Sequence, residues 1–518
     1  MPKIMLVFPN PLGTIPSGLT YVAKRFRQNG WDVRLHINTF DHFRTPGQIR
    51  REIIDPWGPD VVGLSYATFG VLAIYDLQRQ LVEAGYDVIA GGPHPTSRPQ
   101  EVLHGGAQFA FRGEGELCID DYCAWYAAGK QAAACGEIRG ASWLDPAGRA
   151  VHNPLPERIA DLDSLGAADY SFIENIDDFR LVDGRIKGIN AILCGRGCPF
   201  NCSFCSHKLW RRNARRSNDS ILEEMTRQYE QHGVTGFMMR DETFTLHKDR
   251  IHDFCRKLTA SKLPVNWFTG TRINCVDRPL LEAMKAANCS LLNYGVESAN
   301  DETLRRINKG YTSAQAYEVV RLTAEVGIEM SVNIMCGFPW ETPRSVKRNM
   351  AFIRATQPFV SHFQLHGAVI PYPDTLMYEE YHASSGFTDW WLRPRFQHVG
   401  LATYQNVPNP YSVSTYFQRN LFDDMYVAED YFFRFTPGYK RAVARMGMLM
   451  GWNSVCAQTG NPVRRRLKYT IGQVSQLVYG LAPQLEKSVV GRVARGNKVH
   501  KLRETAKFVK KDIARKSA

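Results

Sequence analysis

A loop rich in cysteine follows directly on a short apolar run, Ile189–Leu193, near the middle of the chain. The loop reads Cys194-Gly-Arg-Gly-Cys198-Pro-Phe-Asn-Cys202-Ser-Phe-Cys205. Thiolates spaced like the last three can each bind a different iron of a four-iron cluster, which leaves the fourth iron without a protein ligand. The open iron is the place where a further ligand binds and chemistry occurs.

A zinc knuckle or a purely structural cluster is the alternative for these cysteines. Zinc sites usually pair two Cys-x2-Cys or Cys/His hooks, and no second hook is visible downstream in the sequence. A strand runs straight into the loop and Phe204 precedes the last cysteine, which favours the reactive cluster. We expect Cys194, at the strand end, to be a core thiol and not a ligand.

Cys198, Cys202 and Cys205, with Phe204 between the last two, resemble the signature of the radical S-adenosylmethionine (SAM) superfamily. The resemblance implies that the three cysteines hold a [4Fe-4S] cluster and that its open iron chelates the amino and carboxylate groups of SAM. One-electron reduction then cleaves SAM to methionine and a 5′-deoxyadenosyl radical. A flavodoxin or ferredoxin would supply the electron.

Upstream of this loop, short buried strands alternate with helical patterns. Helices such as 17–29 and 71–84 are followed by Gly30 and Gly85, which are typical C-terminal caps. This alternation predicts a doubly wound, Rossmann-like parallel sheet that binds a ligand at the carboxyl ends of its strands. The predicted strands are 3–9, 31–37, 60–66, 86–90 and 108–111.

The strand ends of this first domain carry distinctive loops. No Gly-x-Gly-x-x-Gly follows the first strand, which weakens a dinucleotide interpretation. Gly91-Gly-Pro-His94-Pro-Thr and Arg112-Gly-Glu114-Gly-Glu instead resemble the cobalamin-binding domain that precedes the radical SAM domain in one large subgroup. The resemblance implies cobalamin contacts by Ser65, Gly91, Gly92, His94 and Glu114, with the two glycines allowing a close backbone approach to the nucleotide tail.

Many other cobalamin domains use Asp-x-His-x-x-Gly, whose histidine binds cobalt from below. This pattern is absent from residues 1–150, where Gly92 and not Asp stands two positions before His94. We therefore expect the lower face of cobalamin to have no protein histidine. The alternative is a degenerate domain that binds no cofactor.

Strand and helix patterns resume at Gly188, with predicted strands at 189–193, 236–240, 265–271, 291–296, 330–336 and 363–370. Six units are too few for a closed eightfold barrel, and the resemblance implies a partial (β/α)6 barrel. Asp241, Glu242, Arg272, Glu297 and Gly337 fall at strand ends and resemble positions that contact SAM. A helix cap or a strand-end salt bridge is the alternative for each of them singly.

Two further segments of this domain have distinctive sequences. Lys309-Gly310 closes a charged amphipathic segment and is expected to be structural. Asp374, in the loop after the sixth strand, stands where the subgroup frequently has glycine.

A chain of 518 residues is too long for one core and predicts two or three domains. We expect a cobalamin-binding domain at 1–140, a linker at 141–185, a radical SAM domain at 186–380, an aromatic-rich, mainly helical C-terminal domain at 381–460 and a basic amphipathic tail at 461–518. Most aromatic residues of 380–460 should form a core, and some could line an apolar substrate pocket.

Nearly all of the net charge of +13 lies in the tail, where residues 463–518 have fifteen Lys or Arg and three acids. Apolar residues recur there at helical spacing, so one interpretation is a helix on an anionic membrane surface. RNA contact and a solvated arm are the others, but no recognised RNA motif accompanies the basic residues and we expect no nucleic-acid partner. The absence of a signal peptide or a long apolar span and the unpaired use of cysteine predict a cytoplasmic protein, with membrane association through the tail.

The resemblance covers roughly residues 1–120 and 188–375. It implies a cobalamin-dependent radical SAM methyltransferase, of the class that includes anaerobic Mg-protoporphyrin ester cyclase, in which methylcobalamin delivers a methyl group to an unactivated carbon. The substrate is expected to be a small molecule such as a lipid or tetrapyrrole. Alternatives are oxidative cyclisation or rearrangement with the same cofactors, and a non-enzymatic cobalamin or redox sensor. A hydrolase is disfavoured because no nucleophile elbow is present.

Overall fold

The computed structural model describes residues 1–12, 15–39, 42–179, 189–206, 211–396 and 432–457. These residues form two compact units. The first contains the described residues up to 191 together with 389–396, and the second contains those from 192 to 388 together with 432–457.

The first unit is built on a seven-stranded sheet of order β2-β1-β3-β4-β5-β6-β7. Its first five strands are parallel and confirm the doubly wound fold, while the last two pair antiparallel at one edge. The strands are β1 (Lys3–Leu12), β2 (Asp32–Thr39), β3 (Val61–Ser65), β4 (Asp87–Gly91), β5 (Phe109–Phe111), β6 (Ala141–Leu144) and β7 (Ala150–His152).

Helices connect the parallel strands as the sequence pattern predicts. Gly30 and Gly85 follow the first and fourth helices with φ values of 79° and 89°, in the left-handed region that glycine reaches without strain. The helices are α1 (Ser17–Gln28), α2 (Pro46–Gln48), which continues through a π-helical segment (Ile49–Ile54) into α3 (Asp55–Trp57), α4 (Val71–Glu83), α5 (Pro93–Ser97), α6 (Pro99–His104) and α7 (Gly115–Ala127). Short 3-10 turns lie at Ala132–Glu137, Leu162–Leu165 and Ile176–Phe179.

Two segments join this unit that the sequence pattern assigned elsewhere. Strands β6 and β7 fall inside the expected linker, and β6 pairs with the edge of β5, where it satisfies backbone groups that would otherwise be exposed. Trp390 and Trp391, expected in a separate aromatic domain, are fully buried in the first unit. The indole N–H of Trp391 donates to Glu101 Oε2 at 3.0 Å.

The second unit contains a six-stranded sheet of order β15-β14-β13-β12-β11-β8 and a two-stranded ribbon of β9 and β10. The six strands match the six predicted ones and confirm the partial barrel. The strands are β8 (Ala191–Leu193), β9 (Gly195–Arg196), β10 (Ala214–Arg215), β11 (Gly236–Arg240), β12 (Asn266–Thr271), β13 (Cys289–Glu297), β14 (Glu329–Cys336) and β15 (His362–Ala368).

Amphipathic helices cover this sheet, and several begin at a capping side chain such as Ser217, Asp277, Thr312 or Thr342. The helices are α8 (Asn218–His232), α9 (Lys248–Ser261), α10 (Arg278–Ala286), α11 (Asp301–Arg306), α12 (Ser313–Val326), α13 (Pro343–Thr356), α14 (Leu376–Tyr381) and α15 (Pro437–Ala457), with short 3-10 turns at Phe244–Leu246 and Ile273–Cys275. Helix α15 packs on α13 and β15 and forms the described part of the helical C-terminal region.

No helix in the described ranges has the length and apolar character needed to cross a bilayer. The predicted basic tail at 461–518 lies outside the described residues, as does most of the predicted aromatic-rich segment.

Gly92, after β4, provides a test of the first unit's packing. Its φ is +97°, and a Cβ there would lie 3.0 Å from both Ser65 Oγ and the Tyr66 carbonyl oxygen. We expect Gly92→Ala to lower the free energy of unfolding by about 1–3 kcal/mol, because a positive φ combined with a ψ of −172° is essentially confined to glycine, with a further loss from the clash. Urea unfolding should measure it.

Gly129→Ala is the matched control, because Gly129 has a φ of +85° and no atom within 4 Å of its added Cβ. It should incur only the backbone cost. An equal decrease in the free energy of unfolding for the two variants would show that the contact with Ser65 and Tyr66 does not affect stability.

Candidate functional site

The cysteine loop begins where β8 ends. Cys194 is completely buried, its Sγ lies 3.5 Å from Met239 Sδ, and burial raises the pKa of its thiol well above the usual value. This environment is that of the predicted core thiol. Cys198 is buried, whereas Cys202 and Cys205 are partly exposed, and none of the three is in a disulfide bond.

Two acids at the end of β11 hold the backbone at the start of this loop. Asp241 accepts hydrogen bonds from the backbone N–H groups of Cys194 and Gly195, and the Gly197 N–H donates to Glu242 Oε2 at 3.0 Å. Burial raises the pKa of Asp241 to about 7, although Arg250 at 3.9 Å opposes the shift. Both side chains therefore brace the loop, and a contact with SAM from this segment stays a prediction.

Arg272, at the end of β12, reaches the cysteine loop directly. Its Nη1 donates to Cys202 Sγ at 3.0 Å, its Nη2 donates to the Lys309 carbonyl oxygen, and its guanidinium lies 3.8 Å from the Phe200 ring centroid. The side chain is buried, so a fixed positive charge stands against a cysteine sulfur. Thr243, which the sequence pattern did not single out as a site residue, lies 3.6 Å from Cys198 Sγ through its hydroxyl.

Lys309, which we expected to be structural, lies in the same group of side chains as Arg272. It is buried, and its ammonium pairs with Glu297 Oε1 at 3.3 Å and lies 5.9 Å from the Phe204 ring centroid. Glu297 itself has a φ of +63°, a strained conformation for a residue other than glycine. The sequence feature that could have indicated the position of Lys309 is the turn Asn308-Lys-Gly310. Asn308 and Gly310 both have positive φ, and the turn returns the chain to the strand ends.

Gly337, at the end of β14, lies in a second buried polar group. Its N–H donates to Glu341 Oε2 at 2.9 Å and contacts Tyr439 Oη at 2.7 Å, while the Tyr439 hydroxyl donates to the same carboxylate oxygen at 2.6 Å. Glu341 Oε1 is buried with no hydrogen-bond partner. Phe338, next in the chain, packs edge-on against Phe204 at 6.2 Å and so connects this loop with the cysteine loop.

The donor set of the cysteine loop fits an iron–sulfur cluster. In the part of the chain that the structure describes, no three His, Cys, Asp or Glu side chains converge as ligands of a single metal ion. A four-iron cluster takes its thiolates on separate irons, so its ligands do not need to converge on one point. The cations of Arg272 and Lys309 favour the negative charge that three thiolates bring.

Gly91 ends β4 in the first unit and Gly92 follows it, and the two glycines differ in their surroundings. A Cβ on Gly92 would press on Ser65 and Tyr66, whereas Gly91 has only Phe111 Cβ at 4.0 Å near its own Cβ position. Backbone therefore lies open at the end of β4, as a closely approaching nucleotide tail requires. The three residues Ser65, Gly91 and Gly92 are brought together, and their contact with cobalamin stays a prediction.

His94 lies inside the first unit. It is fully buried, its Nδ1 lies 3.1 Å from Thr68 Oγ1, and its Nε2 lies 2.9 Å from Tyr75 Oη and 3.3 Å from Glu101 Oε1. Both ring nitrogens thus have protein partners. A contact between His94 and cobalamin stays a prediction.

Glu114 has a comparable structural environment. It is buried, and its Oε2 accepts the backbone N–H of Ile159 at 2.8 Å, while Arg158 lies 3.7 Å from Oε1. Glu114 therefore anchors the segment that follows β7. A contact between Glu114 and cobalamin stays a prediction.

Two parts of the chain match known domain families. Residues 192–353 match the Radical SAM superfamily and residues 11–121 match the B12 binding domain. The first match contains Cys198, Cys202 and Cys205, and the second contains the Gly91-Gly92 loop. Both agree with the resemblance of these two loops.

Relatives and one solved structure extend these matches. A protein from Pyrococcus horikoshii named as an uncharacterized methyltransferase is 28% identical over 395 residues, which are 73% of this chain and 82% of the relative. The anaerobic magnesium-protoporphyrin IX monomethyl ester cyclase of Rubrivivax gelatinosus is 26% identical over 375 residues, 70% of this chain and 66% of the relative. TsrM, a radical SAM methyltransferase from Kitasatospora setae, shares the fold with a TM-score of 0.61 at 19% identity, over 74% of this chain and 77% of TsrM.

The buried carboxyl of Glu341 predicts a dependence of stability on pH. Burial raises its pKa from 4.5 to about 7, and the hydrogen bond from Tyr439 only partly opposes the shift. Between pH 4.5 and about pH 7 the folded state holds a proton that the unfolded chain releases. The contribution of this carboxyl to the free energy of unfolding is therefore fully present below pH 4.5 and is lost as the pH rises to about 7. The loss is about 3 kcal/mol for one such group.

We expect Glu341→Gln, which cannot titrate, to lose less stability than the unsubstituted protein between about pH 4.5 and about pH 7. Urea unfolding at both pH values should measure the difference, with Glu379→Gln, an exposed residue of α14, as the control. An unchanged pH dependence in Glu341→Gln would mean that this carboxyl is ionised in the folded protein at neutral pH.

Proposed function

We propose that this chain, a cobalamin-binding radical SAM enzyme whose cofactors are a [4Fe-4S] cluster, SAM and cobalamin, is a methyltransferase. The observation that carries the proposal is a match over most of both chains to a relative named as a methyltransferase. The two cofactor domains provide the chemistry that the transfer needs. The acceptor in this proposal is an unactivated carbon of a small molecule.

We assign the cluster to Cys198, Cys202 and Cys205. When bound, the cluster and SAM supply a 5′-deoxyadenosyl radical that removes hydrogen from the substrate, and cobalamin supplies the methyl group. Arg272 donates a hydrogen bond to the Cys202 sulfur, and such bonds help to set the reduction potential of a cluster. Arg272 thus places a positive charge where an added electron has to be stabilised.

The strand ends next to this loop are proposed to bind SAM. The backbone turns at Glu297 and Gly337, which have φ values of +63° and +85°, direct polar backbone groups away from the sheet. Glu297 and Arg272 supply opposite charges for the two ends of an amino acid, and the segment of Asp241 and Glu242 supplies backbone groups.

A second candidate function is oxidative cyclisation with the same cofactors. It is favoured by the match to a cyclase that acts on magnesium-protoporphyrin IX monomethyl ester. The same match supports a tetrapyrrole as the substrate class, whereas a lipid rests on the sequence pattern alone. A flavodoxin or ferredoxin is the proposed electron donor.

Cys202→Ala tests the cluster assignment. Loss of one of three thiolates should remove most of the reconstituted iron and reduce the formation of 5′-deoxyadenosine to background. Iron analysis and chromatography of SAM products after anaerobic reconstitution with iron and sulfide should measure both. Cys194→Ala, which removes a buried thiol that is not a proposed ligand, should keep its iron. Full iron and turnover in Cys202→Ala would contradict the assignment.

The methyl group of SAM distinguishes the two candidate functions. With SAM labelled in its methyl group and a small-molecule extract as acceptor, a methyltransferase should yield a product that carries the label. Mass spectrometry should detect it, and the label should be lost without cobalamin. An unlabelled product formed together with 5′-deoxyadenosine would favour cyclisation.

A further inference from the structure

We propose that three exposed arginines beside the cysteine loop, Arg211, Arg212 and Arg215, form a docking surface for an acidic one-electron carrier protein. We call these residues the arginine edge. The proposal rests on the proposed function in one respect, since it assumes that the cysteine loop holds a cluster that must receive an electron from outside.

The charge of this part of the chain is one-sided. Residues 184–218 include eight Lys or Arg and no Asp or Glu, and the whole cysteine loop lies within this range. The rest of the chain before the tail is close to neutral, because the first 462 residues have a net charge of only +1. A local excess of one charge sign raises the encounter rate with a partner of opposite sign.

Hydrogen bonds fix the arginine edge against the cysteine loop. Strand β10 pairs antiparallel with β9, so that Arg215 lies opposite Gly195 and Ala214 opposite Arg196. The side-chain amide of Asn213 donates to the Gly197 carbonyl oxygen at 2.7 Å. Arg211 Nη2 donates to Asn201 Oδ1 at 2.6 Å, one residue before Cys202. The edge therefore keeps a fixed position relative to the proposed cluster ligands.

The exposure of these arginines is not required by packing. Arg211, Arg212 and Arg215 are exposed, whereas the neighbouring Arg216 is buried and pairs with Glu224. Arg216 therefore stabilises the fold through a buried ion pair. The side chains of the other three arginines lie at the surface.

Two acids at the end of β11 lie next to the loop. Asp241 is buried, with only 3% of its side chain exposed. Glu242 is exposed, and its Oε2 accepts a hydrogen bond from the Gly197 N–H. Residues 211–218, in comparison, include four arginines and no acid.

The position of the cysteines explains why the partner should be an electron carrier. Cys202 and Cys205 are partly exposed, and their neighbours Asn201 and Ser206 are exposed, so the loop itself reaches the surface. An electron donor must approach the cluster closely, and a positive rim orients an acidic protein for this approach. Flavodoxins and ferredoxins are small, acidic carriers of this kind.

The test compares the double charge reversal Arg212→Glu/Arg215→Glu with the double control Arg344→Glu/Arg354→Glu, whose residues are exposed on α13. Arg211 is kept because it bonds to Asn201 of the loop. The reconstituted full-length proteins are mixed anaerobically with reduced flavodoxin, and the bleaching of cluster absorbance gives the rate of reduction. No SAM or substrate is needed.

We expect the arginine-edge variant to be reduced about tenfold more slowly than the unsubstituted protein at low salt, with a smaller difference at high salt because ions screen the charges. The α13 control should keep the original rate. Photoreduced deazaflavin, a small neutral reductant, should reduce all three proteins equally fast, which shows that the cluster is intact.

Two outcomes would overturn the proposal. Equal rates with flavodoxin would show that the arginine edge does not guide the carrier, and a loss of RNA or anionic-vesicle binding in the same variant would then assign it to another polyanion. Slowing by the same factor with deazaflavin would also overturn the proposal, because the effect of the two substitutions would then not depend on the carrier. If the variant is slow only with flavodoxin while the unsubstituted protein fails to methylate any acceptor, the docking surface stands and the proposed function falls.

Discussion

The cysteine loop depends on charged side chains that satisfy its buried backbone. The carbonyl oxygen of Leu193 accepts from Arg216 Nη1 at 3.3 Å, and that of Cys194 accepts from Arg250 Nη2 at 3.0 Å. The N–H groups on the same stretch donate to Asp241. Backbone that leaves a sheet must find new partners for each polar group, and here these partners are charged. Burying them is costly, and the cost is offset because each one makes several hydrogen bonds.

The strands of both sheets were predictable because parallel strands buried on both faces read as short apolar runs. All five parallel strands of the first unit and all six of the second lie where the pattern placed them. Asp374 illustrates a partial success. It has a φ of +65°, so the loop keeps the left-handed conformation that glycine would adopt, and aspartate is one of the residues that tolerate it.

The interior of the site could not be predicted to the same extent. Lys309 reads as a surface charge on an amphipathic segment, and only the positive φ of Asn308 and Gly310 carries it inward. Tyr439 is separated by 98 residues from Glu341, with which it shares a hydrogen bond. His94 likewise meets Trp391 at 6.1 Å across nearly three hundred residues of sequence. Local patterns contain no information on such contacts, which arise only when the units are folded.

In the second unit, burial affects two carboxyl groups and an arginine differently. Burial raises the pKa values of Asp241 and Glu341 to about 7, so both carboxyls lose much of their negative charge near neutral pH. Arg272, in contrast, donates hydrogen bonds to the Cys202 sulfur and to the Lys309 carbonyl oxygen. The Cys202 sulfur therefore has a fixed positive charge beside it. This charge stabilises a cluster that accepts an electron, because desolvation otherwise penalises each added negative charge.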